Sequence, residues 1–212
     1  MNKIEIEELA TATAKWLSKK RQIGLGDVFS ESQLTIPVVE HLIPEGWRKF
    51  KAERNSVDVF KGKCSDVYYD LDEIKNTSKL LIELKLSKAL QKQRLIKDLV
   101  KLALPPSNLG FTCLLIISEP SNGSSKPVLL DEIIKAGKVS FKLSESAVSP
   151  DNEAGVEVLV EGSKILSKLT GDELKSVRSM MDADPTLRAL TVECAAIKTA
   201  GSDRVIILKV QR

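Results

Sequence analysis

LLIELKL, Leu80 to Leu86, is the run on which the reading of this chain turns. Five of its seven residues are aliphatic, and they fall on both parities of position. A strand apolar on both faces is normally central in a sheet covered on both sides. Its two exceptions, Glu83 and Lys85, are two residues apart. Side chains alternate across a strand, so these two share one face, while Ile82, Leu84 and Leu86 share the other. A carboxylate and an ammonium buried together cost several kcal/mol to desolvate unless partnered. They are either a structural ion pair or the groups of a site.

Working outward, Ser87 is the expected N-cap of a helix over 88–103. Leu95, Ile96, Leu99, Val100, Leu102 and Ala103 form its apolar stripe, with Lys88, Lys92, Lys97 and Lys101 elsewhere on it. Pro105 and Pro106 stop it. FTCLLIIS, Phe111 to Ser118, is a second buried strand, which completes a strand–helix–strand unit. Upstream, Trp47 to Arg54 and about Val57 to Leu71 read as strands, the latter bending near Gly62 and followed by a polar turn, 72–78. Residues 3–20 and 32–43 have helical spacing, with Pro44 and Gly46 ending the second. Downstream, 128–135 reads as a helix and 139–143 and 156–160 as short strands. Thr170 and Glu173 have capping-box spacing for a helix to about Ala183. Leu190 to Lys198 and Val205 to Val210 read as a hairpin.

The chain has 212 residues, 42% hydrophobic and 29% charged, enough to build a core without disulfides. Cys64, Cys113 and Cys194 make neither a CxxC pair nor a zinc spacing. No stretch approaches the roughly 20 apolar residues of a membrane span, and the acidic N-terminal segment is unlike a secretory signal. A cytoplasmic protein without membrane contact is expected. His41 is the only histidine, which leaves no Ser-His-Asp site and no His-rich metal cage. Neither GxxxxGK[ST] nor GxGxxG occurs. Net charge is only +3, yet Trp47 to Lys101 carries 14 basic against 8 acidic residues, and Asp151 to Asp184 carries 4 against 8. That asymmetry predicts a polarised surface.

Asp66 lies in the strand segment that should pair antiparallel with LLIELKL through the turn at 72–78. Its carboxylate could then converge with that of Glu83 at one end of the sheet. Two carboxylates suit a hard cation such as Mg²⁺, which keeps several waters. Such an ion polarises a phosphoryl oxygen and acidifies a bound water. A lysine beside it can orient the water and offset developing charge.

Asp66, sixteen residues, then Glu83-Leu84-Lys85 in an apolar strand resembles the signature of the PD-(D/E)XK nuclease superfamily, the fold of many restriction endonucleases. The predicted order of elements over 31–118 is similar to that family's αβββαβ core. Ser65 stands where the motif often has proline. The resemblance implies an α/β fold with a restriction-endonuclease-like core and mixed sheet over 31–145. Residues 1–30 would be an N-terminal helix and linker, and 146–212 a C-terminal α+β extension with helix and hairpin. It implies Asp66 and Glu83 as ligands of Mg²⁺ or Mn²⁺, Lys85 as the catalytic lysine, and Glu40 as a candidate further acidic ligand. Gln91, Gln93 and Arg94 occupy the helix where some relatives carry polar or basic site residues. Asp70 and Asp72 compete with Asp66.

Lys61, Lys63, Lys88, Lys92 and Arg94 flank the motif and are the expected phosphate contacts. Such contacts position a polyanion without reading bases. The expected partner is nucleic acid, DNA ahead of RNA, with a second copy of the chain or another protein as further partners. Two other readings stand beside metal-dependent cleavage of DNA. One is a non-catalytic protein of the same fold that binds nucleic acid or a protein. The other is an interaction module that uses the acidic C-terminal part as its contact surface.

Overall fold

The chain opens with helix α1 (Lys3–Gln22), capped by Asn2, whose side-chain oxygen accepts from the Glu5 amide at 3.0 Å. A 3₁₀ turn (Glu31–Leu34) leads directly into α2 (Thr35–Leu42), with Pro37 in the first turn, where its missing N–H costs nothing. Strands β1 (Trp47–Asn55), β2 (Cys64–Leu71) and β3 (Lys79–Leu86) follow, then α3 (Lys92–Leu102) and β4 (Phe111–Pro120). The remainder is α4 (Val128–Ala136), β5 (Lys138–Glu145), β6 (Val156–Val160), β7 (Leu166–Lys168), α5 (Gly171–Ala183), β8 (Ala189–Ala200) and β9 (Asp203–Gln211). This computed structural model describes residues 1–25, 30–44, 47–55, 64–71, 79–87, 90–105, 110–120, 127–145, 156–160 and 166–212. For residues 47–55, 64–71 and 166–168 the description is of the backbone alone.

The fold is mixed α/β. Among the described residues nine strands form one sheet, in the order β1-β2-β3-β4-β9-β8-β5-β6-β7. The β3–β4 pair is parallel and every other pair is antiparallel. Parallel neighbours need a crossover, and α3 lies on it. The divisions at 30/31 and 145/146 do not interrupt the packing. β9 hydrogen-bonds to β4 along its whole length, and α1 packs on β8 and β9. The C-terminal hairpin is therefore part of the central sheet. Its turn needs Gly201 at φ 56°, and a Cβ there would stand 2.6 Å from the Ser18 hydroxyl oxygen of α1.

Both faces of the sheet are covered. On one, Leu80, Ile82 and Leu84 of β3 pack with Leu9, Leu17 and Val38 of α1 and α2. On the other, Leu81, Leu115 and Ile117 pack with Leu95, Leu99 and Val177 of α3 and α5. Each such side chain, fully withdrawn from water, contributes about 1.5–3 kcal/mol.

Two sequence expectations change. The helix expected over 88–103 with a Ser87 cap begins at Lys92, and Gln91 is its N-cap. Ser87 and Leu90 are buried, and the Ser87 carbonyl accepts from the Leu90 amide at 3.1 Å. Leu90 is thus in the core before the helix starts. The Thr170 side chain makes no capping bond on α5; it bridges instead to the Gln93 amide group, with contacts of 3.1 and 3.2 Å. That bridge ties α5 to α3, so the acidic C-terminal helix lies against the basic one rather than apart from it. The bend near Gly62 and the turn at 72–78 lie outside the described residues. Among those residues no helix is long and apolar enough to cross a membrane.

Candidate active site

β3 carries Glu83 and Lys85 to the face that α3 and α5 cover. Glu83 is 3% exposed and Lys85 9%. Their side chains meet directly, with Lys85 Nζ donating to Glu83 Oε1 at 2.9 Å. The other carboxylate oxygen, Oε2, accepts from the Lys101 ammonium of α3. Glu83 is thus held by two cations, one on each oxygen.

Lys85 is likewise shared. Glu31 Oε2, from the 3₁₀ turn, lies 3.5 Å from its ammonium, and Asp98 Oδ2, from α3, lies 3.8 Å away. Glu31 also reaches the chain end of β3, where its Oε1 accepts from the Leu86 amide at 3.4 Å. Three carboxylates from three elements therefore surround one lysine. Asp98 is 2% exposed, and its Oδ2 accepts no hydrogen bond, which is costly for a buried oxygen. Burial pushes the Asp98 carboxyl up to about 6; Lys85 opposes that rise and Glu83 adds to it.

These groups open on a cavity of about 400 Å³ between β3, α3 and α5. Glu31, Glu83, Lys85, Asp98 and Lys101 line it on the sheet side. Arg94 and Lys97 of α3 complete its basic wall, and Ser176 and Met180 of α5 close the other side. Glu83 and Lys85, expected from sequence, are brought together here, and Arg94 joins them.

Asp66 lies in β2, whose backbone alone is described. The β2–β3 register runs Asp70↔Lys79, Tyr69↔Leu80, Tyr68↔Leu81, Val67↔Ile82. Continued by one residue, it sets position 66 across from Glu83. Asp70 is opposite Lys79, at the far end of β3 from the cavity residues. Glu40 is exposed on α2 and is not among the residues lining the cavity; Glu31, two and a half turns earlier in the chain, is the acid this region brings to the site. Lys92 begins α3, half-buried. Lys61, Lys63, Lys88 and Asp72 lie outside the described residues.

Three participants were not singled out in the sequence. Asp98 is three residues after Leu95 and four before Leu102, so helical periodicity places it within the apolar stripe and marks it as a buried charge. Lys101 follows Asp98 by nearly one turn. Glu31 has no such local signal, because it reaches β3 only through the tertiary fold.

The donors suit a hard divalent cation in kind, being carboxylate oxygens, one of them buried without a hydrogen bond. Among the described residues no group of three or more His, Cys, Asp or Glu side chains is placed to hold a metal ion. Mg²⁺ does not require three, since it is commonly held by one or two carboxylates and keeps its waters. Glu83 and Asp66 are the pair that would have to supply them. The two described thiols do not contribute: Cys113 is buried in β4 with its pKa pushed up to about 12 by burial, and burial raises Cys194 as well.

No protein-family model, no curated protein and no solved structure matches the chain.

Proposed function

We propose that the chain is a metal-dependent nuclease of the PD-(D/E)XK, restriction-endonuclease-like kind, acting on DNA. The observation that carries this reading is the convergence of Glu83 and Lys85 on one cavity wall; the β2–β3 register, continued one residue past Val67↔Ile82, would set position 66 across from Glu83. The element order α2-β1-β2-β3-α3-β4, with β3 parallel to β4, supports it.

In this reading Asp66 and Glu83 would hold Mg²⁺ or Mn²⁺, whose chemistry when bound would be to acidify a water and polarise a phosphoryl oxygen. Lys85, steadied by Glu31 and Asp98, keeps its ammonium at the reacting phosphate and orients the attacking water. Hydrolysis forms one bond between water oxygen and phosphorus and breaks one bond from phosphorus to an ester oxygen. The products are a phosphate monoester end and a hydroxyl end, the latter taking up a proton. Arg94 and Lys97 face the same space and fit phosphate contacts, which position a strand without reading its bases.

The test is a plasmid-nicking assay with the purified chain, Mg²⁺ or Mn²⁺, and an EDTA control. Nicking that EDTA stops, and that Glu83→Ala removes, supports the reading. Absence of nicking under any divalent metal sinks it. A second reading, a non-catalytic protein of this fold that binds nucleic acid, is favoured by one observation: both Glu83 oxygens are already engaged by ammonium groups. DNA binding that weakens with salt, without cleavage and without metal uptake, would select it.

A further inference from the structure

The cations of the cavity between β3, α3 and α5 are arranged by depth. Arg94, Lys97 and Lys101 are spaced by three and then four residues, so they share one face of α3. Arg94 is exposed, Lys97 half-buried, and the Lys101 side chain 12% exposed, so the row grows more enclosed along the helix. Lys85 of β3, its side chain 11% exposed, adds a fourth cation at depth. The two deep ammonium groups are engaged with carboxylates. Arg94 and Lys97 line the cavity without a hydrogen-bonded partner among the described residues.

These four cations face three carboxyl groups, Glu31, Glu83 and Asp98. The lining is net positive by one charge, and by two when Asp98 carries a proton. Burial pushes that carboxyl up to about 6, and the protonated form offers a donor where the carboxylate offers none. A doubly charged anion with several acceptor oxygens complements such a lining. None of the described residues around the cavity is aromatic, so it provides no platform on which a base could stack.

The depth of the cations separates two kinds of phosphate. A phosphodiester continues in both directions and meets Arg94 and Lys97 from outside. A phosphate with a single ester arm can enter further, to where the charges of Lys85 and Lys101 are least screened by water. We infer that the cavity is a binding site for a phosphate monoester, held without a metal ion: Arg94 and Lys97 donate to its oxygens, Ser176 stands beside it on α5, and Lys85 and Lys101 supply positive charge from beneath. The group belongs to a small phosphate ester or to the phosphorylated end of a nucleic-acid strand. This site does not rest on the nuclease reading and stands whether or not the chain cuts DNA.

The experiment uses the full chain in EDTA at constant ionic strength, titrated with inorganic phosphate against chloride and read by calorimetry. The parent should bind phosphate saturably. Arg94→Gln and Lys97→Gln should each weaken binding about tenfold, because each removes a charge-assisted hydrogen bond. Lys15→Gln, which removes an exposed charge on α1 across the sheet, should leave binding unchanged. Melting curves confirm that the variants are folded. A short single strand bearing a phosphate at its 5′ end, at its 3′ end or at neither then identifies the source. Binding about tenfold tighter for one phosphorylated strand, and competed by inorganic phosphate, assigns the site to strand ends. Equal binding of all three strands, with inorganic phosphate still held through Arg94 and Lys97, assigns it to a small ester.

A parent that shows no saturable phosphate binding overturns the inference. So does phosphate binding that appears only when Mg²⁺ is added, or that neither cavity variant weakens. Any of these outcomes leaves metal-dependent nicking to its own assay, and a chain that cuts nothing leaves the phosphate site standing.

Discussion

The two faces of β3 make a controlled comparison within eight residues. One face, Leu80, Ile82 and Leu84, is wholly aliphatic and lies under α1 and α2. The other begins with Leu81 in the core under α3 and α5, then turns to Glu83 and Lys85 at a cavity. Backbone, neighbours and burial are shared, so the difference between the faces is one of side-chain chemistry and of what stands opposite. Packing requires only shape on the first face. On the second, each charge needs a partner of opposite sign, and these come from β3, α3 and the 3₁₀ turn together. Substitutions on the first face should therefore alter stability alone, and substitutions on the second should separate stability from activity.

The largest stability effect is expected on the packed face. Ile82→Ala removes a fully buried side chain and should cost about 4 kcal/mol, seen as a fall in denaturant midpoint with an unchanged slope. A loss below about 1 kcal/mol would mean that α1 and α2 pack loosely on this face of β3.

On the charged face, Lys85→Ala should slow nicking by roughly 10²–10³, equivalent to about 3–4 kcal/mol by analogy with a lost oxyanion donor. Its cost in stability should fall short of the roughly 3–5 kcal/mol of an ordinary broken buried pair, because Lys101 still neutralises Glu83. If melting falls steeply while the parent shows no cleavage, Lys85 is a structural counter-ion and the two faces differ less than proposed.

Asp98→Asn sharpens the comparison through pH. The folded Asp98 holds its proton up to about 6, above its ordinary value of 3.8. Its contribution to stability is full below 3.8 and is lost as the pH rises through about 6. The variant should match the parent near pH 4 and exceed it at pH 8 by about 1–3 kcal/mol, as read from melting at both pH values. A variant less stable at pH 8 would show instead that the attraction of Lys85 outweighs the cost of burying the ionised Asp98.

The smallest effect lies away from both faces, at the last residue of the chain. Arg212 donates twice to Asp184, at 2.6 and 3.0 Å, and holds that carboxyl down to about 2. This pair contributes above the ordinary Asp range and is lost as pH falls towards 2. Arg212→Ala should cost about 1 kcal/mol at pH 7, given partial solvent screening, and almost nothing at pH 2. An equal cost at both would point to lost packing rather than charge.

Much of this was legible in the sequence, and what was not has physical causes. Leu80–Leu86 read correctly as a doubly buried strand, because only helices on both sides tolerate aliphatic residues on both parities. The stripe from Leu95 to Ala103 placed α3, yet its start was four residues out: the Ser87 hydroxyl is a good capping group, and nothing local says that Leu90 is pulled into the core first. Asp98 was readable from its spacing to Leu95 and Leu102, since a charge inside an apolar stripe is rarely idle. Glu31 was not, because it meets Lys85 across more than fifty positions of chain. Leu190–Val210 read as a hairpin, but its place beside β4 depends on long-range pairing that local periodicity does not encode.

That placement of β9 bears on how the chain acquires its structure. β4 pairs with β3 on one edge and waits for β9 on the other, with Ile116 meeting Ile207. Until the last strand arrives, the hydrogen-bonding groups on that edge of β4 stand open, flanked by aliphatic side chains, as a template for another chain. During synthesis at about 5–20 residues per second, that interval lasts several seconds. Closing so long a loop also raises the entropic barrier to folding, so refolding should be slow for a protein of this size. Because the strand that seals this edge of β4 is made so much later, β9 acts as a kinetic safeguard against aggregation as well as a structural element.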